Sequence, residues 1–219
     1  MFDTSLIPML GVGVLETIYM TLFSTVLAYA IGLPLGVIMV VTDKDGIHPM
    51  HGLNSVLGFI INIVRSVPFL ILLIAIIPFT RFVAGTSIGS TATVVPLVIA
   101  AAPFIARLVE ASLKEVDNGV IEAAQSMGAS PMIIICRVMI PEAKPALITN
   151  GAIAITTILG YSAMAGITGG GGLGAIATNY GLYRYQNDIM LVTVVLLIII
   201  VQVFQELGMR SARSADKRL

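Results

Sequence analysis

The sequence predicts an all-α membrane protein crossing the bilayer on five helices. Composition and the spacing of charge-free runs carry that prediction. Of 219 residues 57% are hydrophobic and only 11% are charged, with a mean hydropathy of +1.00. A soluble domain carries about 25% charged residues, so a soluble globular fold is excluded. A bilayer core about 30 Å thick takes about 20 apolar residues per helix, so five helices use about 100 to 120 residues and leave room for loops. Twelve Lys and Arg balance twelve Asp and Glu, which gives no electrostatic reason to expect nucleic acid. The single cysteine, Cys136, can form no disulfide within the chain and reads as a small apolar filler. The N-terminal stretch has no basic residues before its first apolar run, so it reads as a retained membrane anchor and not as a cleaved signal peptide.

The five spans follow in order. Thr17 to Thr42 is charge-free and gives the first. Leu53 to Thr80 is apolar apart from Asn62 and Arg65 and gives the second. Phe82 to Ala106 gives the third. Pro145 to Tyr183 is too long for one helix, and the glycine cluster Gly166 to Gly174 divides it, leaving a fourth span from about Ile140 to Ala165. Ile189 to Gln205, extended by a turn at each end, gives the fifth. The chain reads as one transmembrane domain over residues 1–219, with a core of about 12–207.

Basic residues set the expected orientation. Lys44, Arg107, Lys114, Arg137, Lys144, Arg210, Arg213, Lys217 and Arg218 fall on one side, and only Arg81 and Arg184 on the other. That asymmetry puts the N-terminus outside and the C-terminus in the cytoplasm. The basic tail Arg210 to Arg218 then contacts lipid headgroups.

The cytoplasmic segment between spans three and four, about 115–141, has helix punctuation. Asp117 and Asn118 are N-cap candidates, and Gly128 stands where a C-cap needs a left-handed residue. Ser130-Pro131 restarts a helix, and Ile140-Pro141 marks another break. Ala123 and Ala124 are small enough for another backbone to approach, and Val120, Ile121 and Met127 can form an apolar knob. Such a helix either docks a partner or lies on the membrane.

The run Glu122-Ala123-Ala124-Gln125-Ser126-Met127-Gly128-Ala129, followed by Ile140-Pro141, resembles the EAA loop of type I ABC importer permease subunits. Arg65-Ser66-Val67-Pro68-Phe69 resembles the Arg-x-x-Pro segment of amino-acid importers. Ile77 to Arg81, Gly85 to Gly89, Ala101 to Arg107, Gly160 to Met164 and the run ending Gly171-Gly172-Leu173-Gly174 are similar to the permeases of methionine importers. The resemblance implies a multi-pass protein of a bacterial inner membrane that moves D- and L-methionine. It implies a homodimer with the path at its interface, two copies of a separate ATPase, and a periplasmic methionine-binding protein. It also implies that Glu122, Ala123, Ala124, Met127 and Gly128 form the coupling helix that docks the ATPase. ATP and Mg would sit on that partner, leaving this chain with no catalytic residue, cofactor or metal. Independently, no lysine follows a glycine, so the chain has no phosphate-cradling loop.

Candidate path or gate residues are Arg65, Pro68, Tyr161, Ser162, Met164 and Gly170. Arg65 has two readings. It touches substrate or a gate, or span two starts late, Leu53 to Val64 lies at the interface and Arg65 reaches the cytoplasmic headgroups. Pro68 favours the second. Gly166 to Gly174 is an outer gate or a flexible turn. Tyr161, Ser162 and Met164 line a path or simply pack. His48 and His51 lack the further ligands a metal site needs. Glu122 either favours its own helix N-terminus or bonds to the ATPase. Ala28, Gly32 and Gly36 form a small-residue stripe, as do Ala102 and Ala106, for packing within or between subunits. A secondary transporter would need intramembrane acids or an internal repeat, but Glu16, Glu110 and Glu206 sit at span ends. An intramembrane protease would need a catalytic pair within the spans, which the sequence lacks. A permease for another amino acid is the remaining rival.

Overall fold

The structure is a computed structural model, and it describes residues 6–215. Lys217 and Arg218 of the basic tail lie outside the described residues. All regular elements among the described residues are helical. Helices Leu6–Val41, Ser90–Lys114 and Asn187–Ala215, together with the continuous segment Lys144–Leu182, are each long and apolar enough to cross a membrane. The pair His51–Ser66 and Phe69–Ala75 passes the same test together but is bent by 100°, as a broken fifth span or a re-entrant segment.

Helix α1 (Leu6–Val41) starts eleven residues before the expected Thr17. Glu16 does not end it, because its carboxylate accepts the Gly172 N–H at 2.6 Å and the charge is accommodated within the fold. Span two is the larger correction. It is not one helix over Leu53 to Thr80 but three: α2 (His51–Ser66), α3 (Phe69–Ala75) and α4 (Ile77–Ala84). Pro68 forces the first break. It has no N–H to donate and pushes Val67 to an extended conformation (φ −81°, ψ 124°). Gly85 at φ 73° then caps α4. Span three therefore begins at Ser90, not Phe82, and runs on as α5 (Ser90–Lys114). Arg107, Glu110 and Lys114 extend it past the expected end at Ala106, because they pair with one another on its surface.

After α5 come α6 (Asn118–Ser126), α7 (Pro131–Ile133), a π-helical turn (Ile134–Met139) and α8 (Ile140–Glu142). Then α9 (Lys144–Ala165) forms the body of span four. The glycine cluster folds into a short turn and α10 (Gly172–Ile176), followed by a second π-helical turn over Ala177–Leu182. The last helix, α11 (Asn187–Ala215), is about two turns longer at its C-terminal end than the expected extension of span five.

The small-residue stripes pack within the subunit. Gly32 and Gly36 of α1 lie directly on α5. A Cβ at Gly32 would stand 2.7 Å from the Ala102 carbonyl oxygen, and one at Gly36 would stand 2.6 Å from that of Ala106. Ala28, Leu97, Ala101 and Ile105 are wholly buried in the same core. At one end of this pair, Asn54 of α2 donates to the Met39 carbonyl at 2.7 Å and to Thr42 Oγ1 at 3.1 Å, pinning the start of α2 beneath α1.

This packing predicts that Gly36→Leu loses at least the roughly 1–3 kcal/mol typical of overpacking. Its thermal midpoint in detergent should fall well below that of wild type. Gly11→Leu, where nothing lies within 4 Å, should melt like wild type.

Candidate functional site

The docking segment is built as its punctuation requires. The Asp117 carboxylate accepts the Gly119 N–H at 2.8 Å and caps α6. The other end is closed by a pair of capping bonds. Gly128 N–H donates to the Gln125 carbonyl at 2.9 Å, and Ala129 N–H donates to that of Ala124 at 3.1 Å. Gly128 sits at φ 76°, where a side chain is strained. Glu122 lies beyond the first turn of α6, so Asp117 and not Glu122 serves its N-terminus. Ala124 is only 4% exposed and packs inward in the cluster that holds Val116, Ile134, Met139 and Ala143. Ile121 also turns toward that core. Ala124 and Ile121 thus anchor the helix to its own subunit, leaving Glu122, Ala123, Met127 and Val120 outward. Met127 is 82% exposed.

A cleft of about 710 Å³ runs between α6, the end of α5 and the 43–47 loop, bordered by Asp43, Lys44, Lys114 and Glu122. A chain of polar contacts, which sequence reasoning missed, starts at its wall with Asp43 and Lys114 and runs back along α5. Lys114 Nζ bridges Asp43 at 2.7 Å and Glu110 at 2.9 Å. Arg107 bonds Glu110 at 2.6 Å and reaches Asn62 Oδ1 of α2 at 2.9 Å. The spacing of Arg107, Glu110 and Lys114 on one helix face was the available signal. Lys114, and after it the Lys44 N–H, hold the Asp43 carboxyl below its usual range.

The second location is the break between α2 and α3. A cavity of about 230 Å³ there is lined by Arg65, Phe69, Leu72, Ala100, Phe104 and Tyr161 among others. Phe69 and Tyr161 stack with centroids 4.5 Å apart. Ala100 and Phe104 of α5 border this cavity about one to two turns before the charged group of Arg107, Glu110 and Lys114. The separate helix expected over Leu53 to Val64 is present as α2, with Arg65 in its last turn. Arg65 is exposed and makes no hydrogen bond or ion pair with any described residue.

Of the six path candidates, the structure brings Arg65 of α2 and Tyr161 of α9 to one cavity, with Pro68 creating the break between α2 and α3 beside it. It separates the others. Ser162 is 1% exposed and donates to the Leu159 carbonyl at 2.8 Å. Met164 is half exposed and does not line this cavity. Gly170 is buried, with its carbonyl 3.3 Å from Thr93 Oγ1. The glycine cluster is bound to α1 and is no free turn. The Gly172 and Leu173 N–H groups donate to Glu16 and Thr17 Oγ1, at 2.6 and 2.9 Å.

Residues 32–219 match the family described as the binding-protein-dependent transport system inner membrane component. The chain belongs to that family. Among relatives of this inner membrane component is the probable D-methionine transport system permease protein MetI of Vibrio cholerae serotype O1. It is 50% identical over 203 residues, covering 93% of this chain and 90% of the relative. The D-methionine transport system permease protein MetI of Escherichia coli K12 is 49% identical over 154 residues, 70% of this chain and 71% of that one. Among solved structures, a chain of the MetNI methionine ABC transporter in an inward-facing conformation superposes with a TM-score of 0.97. It is 44% identical, with 99% of this chain and 100% of that chain covered. A chain of an amino acid ABC transporter solved with histidines has a TM-score of 0.79 at 21% identity, covering 98% and 99% of the two chains, and shares the fold alone. The family is one of non-catalytic membrane subunits.

Two predictions follow from the polar chain. Glu110→Gln leaves Arg107 without its closest anion in a half-buried position and should cost about 3 kcal/mol, measured as a lowered midpoint of unfolding in detergent. Asp43, with its carboxyl held low, stabilises the fold above its unfolded pKa of about 3.9 and loses that effect as pH falls through the lower folded value. The difference in melting temperature between wild type and Asp43→Asn should therefore be present at neutral pH and vanish in strong acid.

Proposed function

We propose that this chain is the translocation subunit of an ATP-driven importer for methionine, D- and L-, in a bacterial inner membrane. Two copies pair around the path, each docks a separate ATPase through α6, and a periplasmic methionine-binding protein delivers the substrate. The α6 end of the bundle faces the cytoplasm, which puts the N-terminus outside. ATP and Mg bind the partner.

The observation that carries the coupling role is the construction of α6. It is capped at both ends, locked to its own core through Ala124, and presents Glu122, Ala123 and Met127 outward beside a charged cleft. A helix fixed on one face and bare on the other passes a push from a partner to α5 without first deforming. Methionine as substrate draws its support from the names of relatives at 43–50% identity.

Methionine uptake into proteoliposomes tests this reading. Uptake should need the ATPase, the binding protein and ATP together. Uptake by the chain alone, driven by an ion gradient, would overturn it, and stronger uptake of another amino acid would overturn the substrate. Gly128→Leu breaks the α6 cap and should lower uptake by about tenfold or loosen ATPase association. Glu122→Ala should act the same way more weakly, at about the 0.5–1.5 kcal/mol of a lost interfacial hydrogen bond. Co-purification of the ATPase with each variant, alongside uptake, checks both.

A further inference from the structure

We propose that the cavity at the α2–α3 break is a substrate subsite. Arg65 there takes the carboxylate of methionine, and the Phe69–Tyr161 stack with Phe104 takes the thioether. The proposal rests on the importer reading above and adds to it which groups of the amino acid are held, and by what.

Three observations converge. First, Arg65 borders the cavity as an exposed guanidinium with no protein partner among the described residues. A guanidinium whose donors are left open beside a cavity is free to take a counter-anion there. Its forked guanidinium matches a carboxylate in two-point contact. Second, the rest of the lining is aromatic and aliphatic: Phe69, Leu72, Ala100, Phe104 and Tyr161. Thioether sulfur packs well against aromatic rings. Third, about 230 Å³ suits one small amino acid and falls below the usual range for drug-sized ligands, about 300–1,000 Å³.

The lining holds no carboxylate to fix the ammonium group. With only the carboxylate and side chain held, the site reads the configuration at the α-carbon weakly, so either enantiomer can pass. A subsite on a transport path must also release its ligand. One ion pair and a few ring contacts in an open cavity give that weak hold.

The polar break makes the subsite. Without Pro68, α2 and α3 would run on as one helix, and Arg65 would lie along its side instead of at the mouth of a gap.

The test uses the full assembly of permease, ATPase and binding protein in proteoliposomes, with methionine moved per ATP hydrolysed as the readout. Arg65→Met should lower that ratio by about tenfold or more, the usual scale for losing a charged hydrogen-bonded partner. Arg65→Lys keeps the charge but not the fork and should fall between the two. Phe104→Ala should lower the ratio less than Arg65→Met. Labelled methionine bound to the permease–ATPase complex in nanodiscs, without binding protein, gives the second readout. The desamino analogue, which keeps the carboxylate, should displace it, and methionine amide should not. A merely structural Arg65 would not produce that preference.

Wild-type assemblies that take up methionine while Arg65→Met stays within about twofold of them would overturn the subsite and leave the importer reading intact. Arg65→Lys no better than Arg65→Met, displacement by the amide as readily as by the acid, or no saturable binding in nanodiscs would do the same. Failure of wild-type uptake would overturn the importer reading first.

Discussion

Where Gly32 and Gly36 of α1 meet Ala102 and Ala106 of α5, one backbone lies on another with no room for a Cβ. Lipid gives helices no hydrophobic reason to associate, so close van der Waals contact of this kind carries much of the packing. The pair forms a rigid spine from which other functional parts hang. The far end of α1 holds the glycine cluster through Glu16 and Thr17. The near end of α5 runs into the capped helix α6 after three residues. Its midpoint supplies one wall of the Arg65 cavity. A displacement of α6 therefore has a stiff element to act on.

Polar groups in this chain fall into two classes with opposite economies. Arg107, Glu110, Lys114, Asp43 and Asn62 satisfy one another, so their charges hold α2 and the 43–47 loop against the spine. Arg65 satisfies nothing within the described residues. Arg65 is exposed at its cavity with its donors open, so the contrast separates the paired scaffold from the proposed subsite. The same contrast runs along α6, where Asp117 is used by its own helix and Glu122 is left for something else.

Helices, caps and the docking segment were legible because their signals are local. Asp117, Gly128 and Ser130-Pro131 each report a backbone need at one position. The boundaries of the second and third spans were not legible from hydropathy, since Leu53 to Ala106 is apolar almost throughout. Hydropathy cannot show the 100° bend that Pro68 marks between α2 and α3, or the turn that Gly85 and Gly89 mark between α4 and α5. The polar chain was hidden for a different reason. Arg107 and Lys114 had been counted as loop charges that orient the protein, and their partnership with Glu110 and Asp43 depends on α5 continuing eight residues beyond Ala106. Ser162 and Gly170 looked like path residues by type, but tertiary packing buried both. Only the fold could bring Arg65 beside Tyr161, nearly a hundred residues away. The inward turn of Ala124 likewise follows from the π-helical segment packed beneath it.

The central claim is that a push on α6 is passed along the spine to the path. Pulsed EPR between the two copies tests it, with Cys136→Ser removing the exposed native thiol and Met127→Cys placing one spin label on each docking helix. In the full assembly, adding ATP under conditions that block hydrolysis should shorten the distance between the labels. A second pair placed by Leu72→Cys at the cavity should change distance in the same step. A docking-helix distance that is unchanged by ATP, or that changes while the cavity pair stays fixed, would contradict the account.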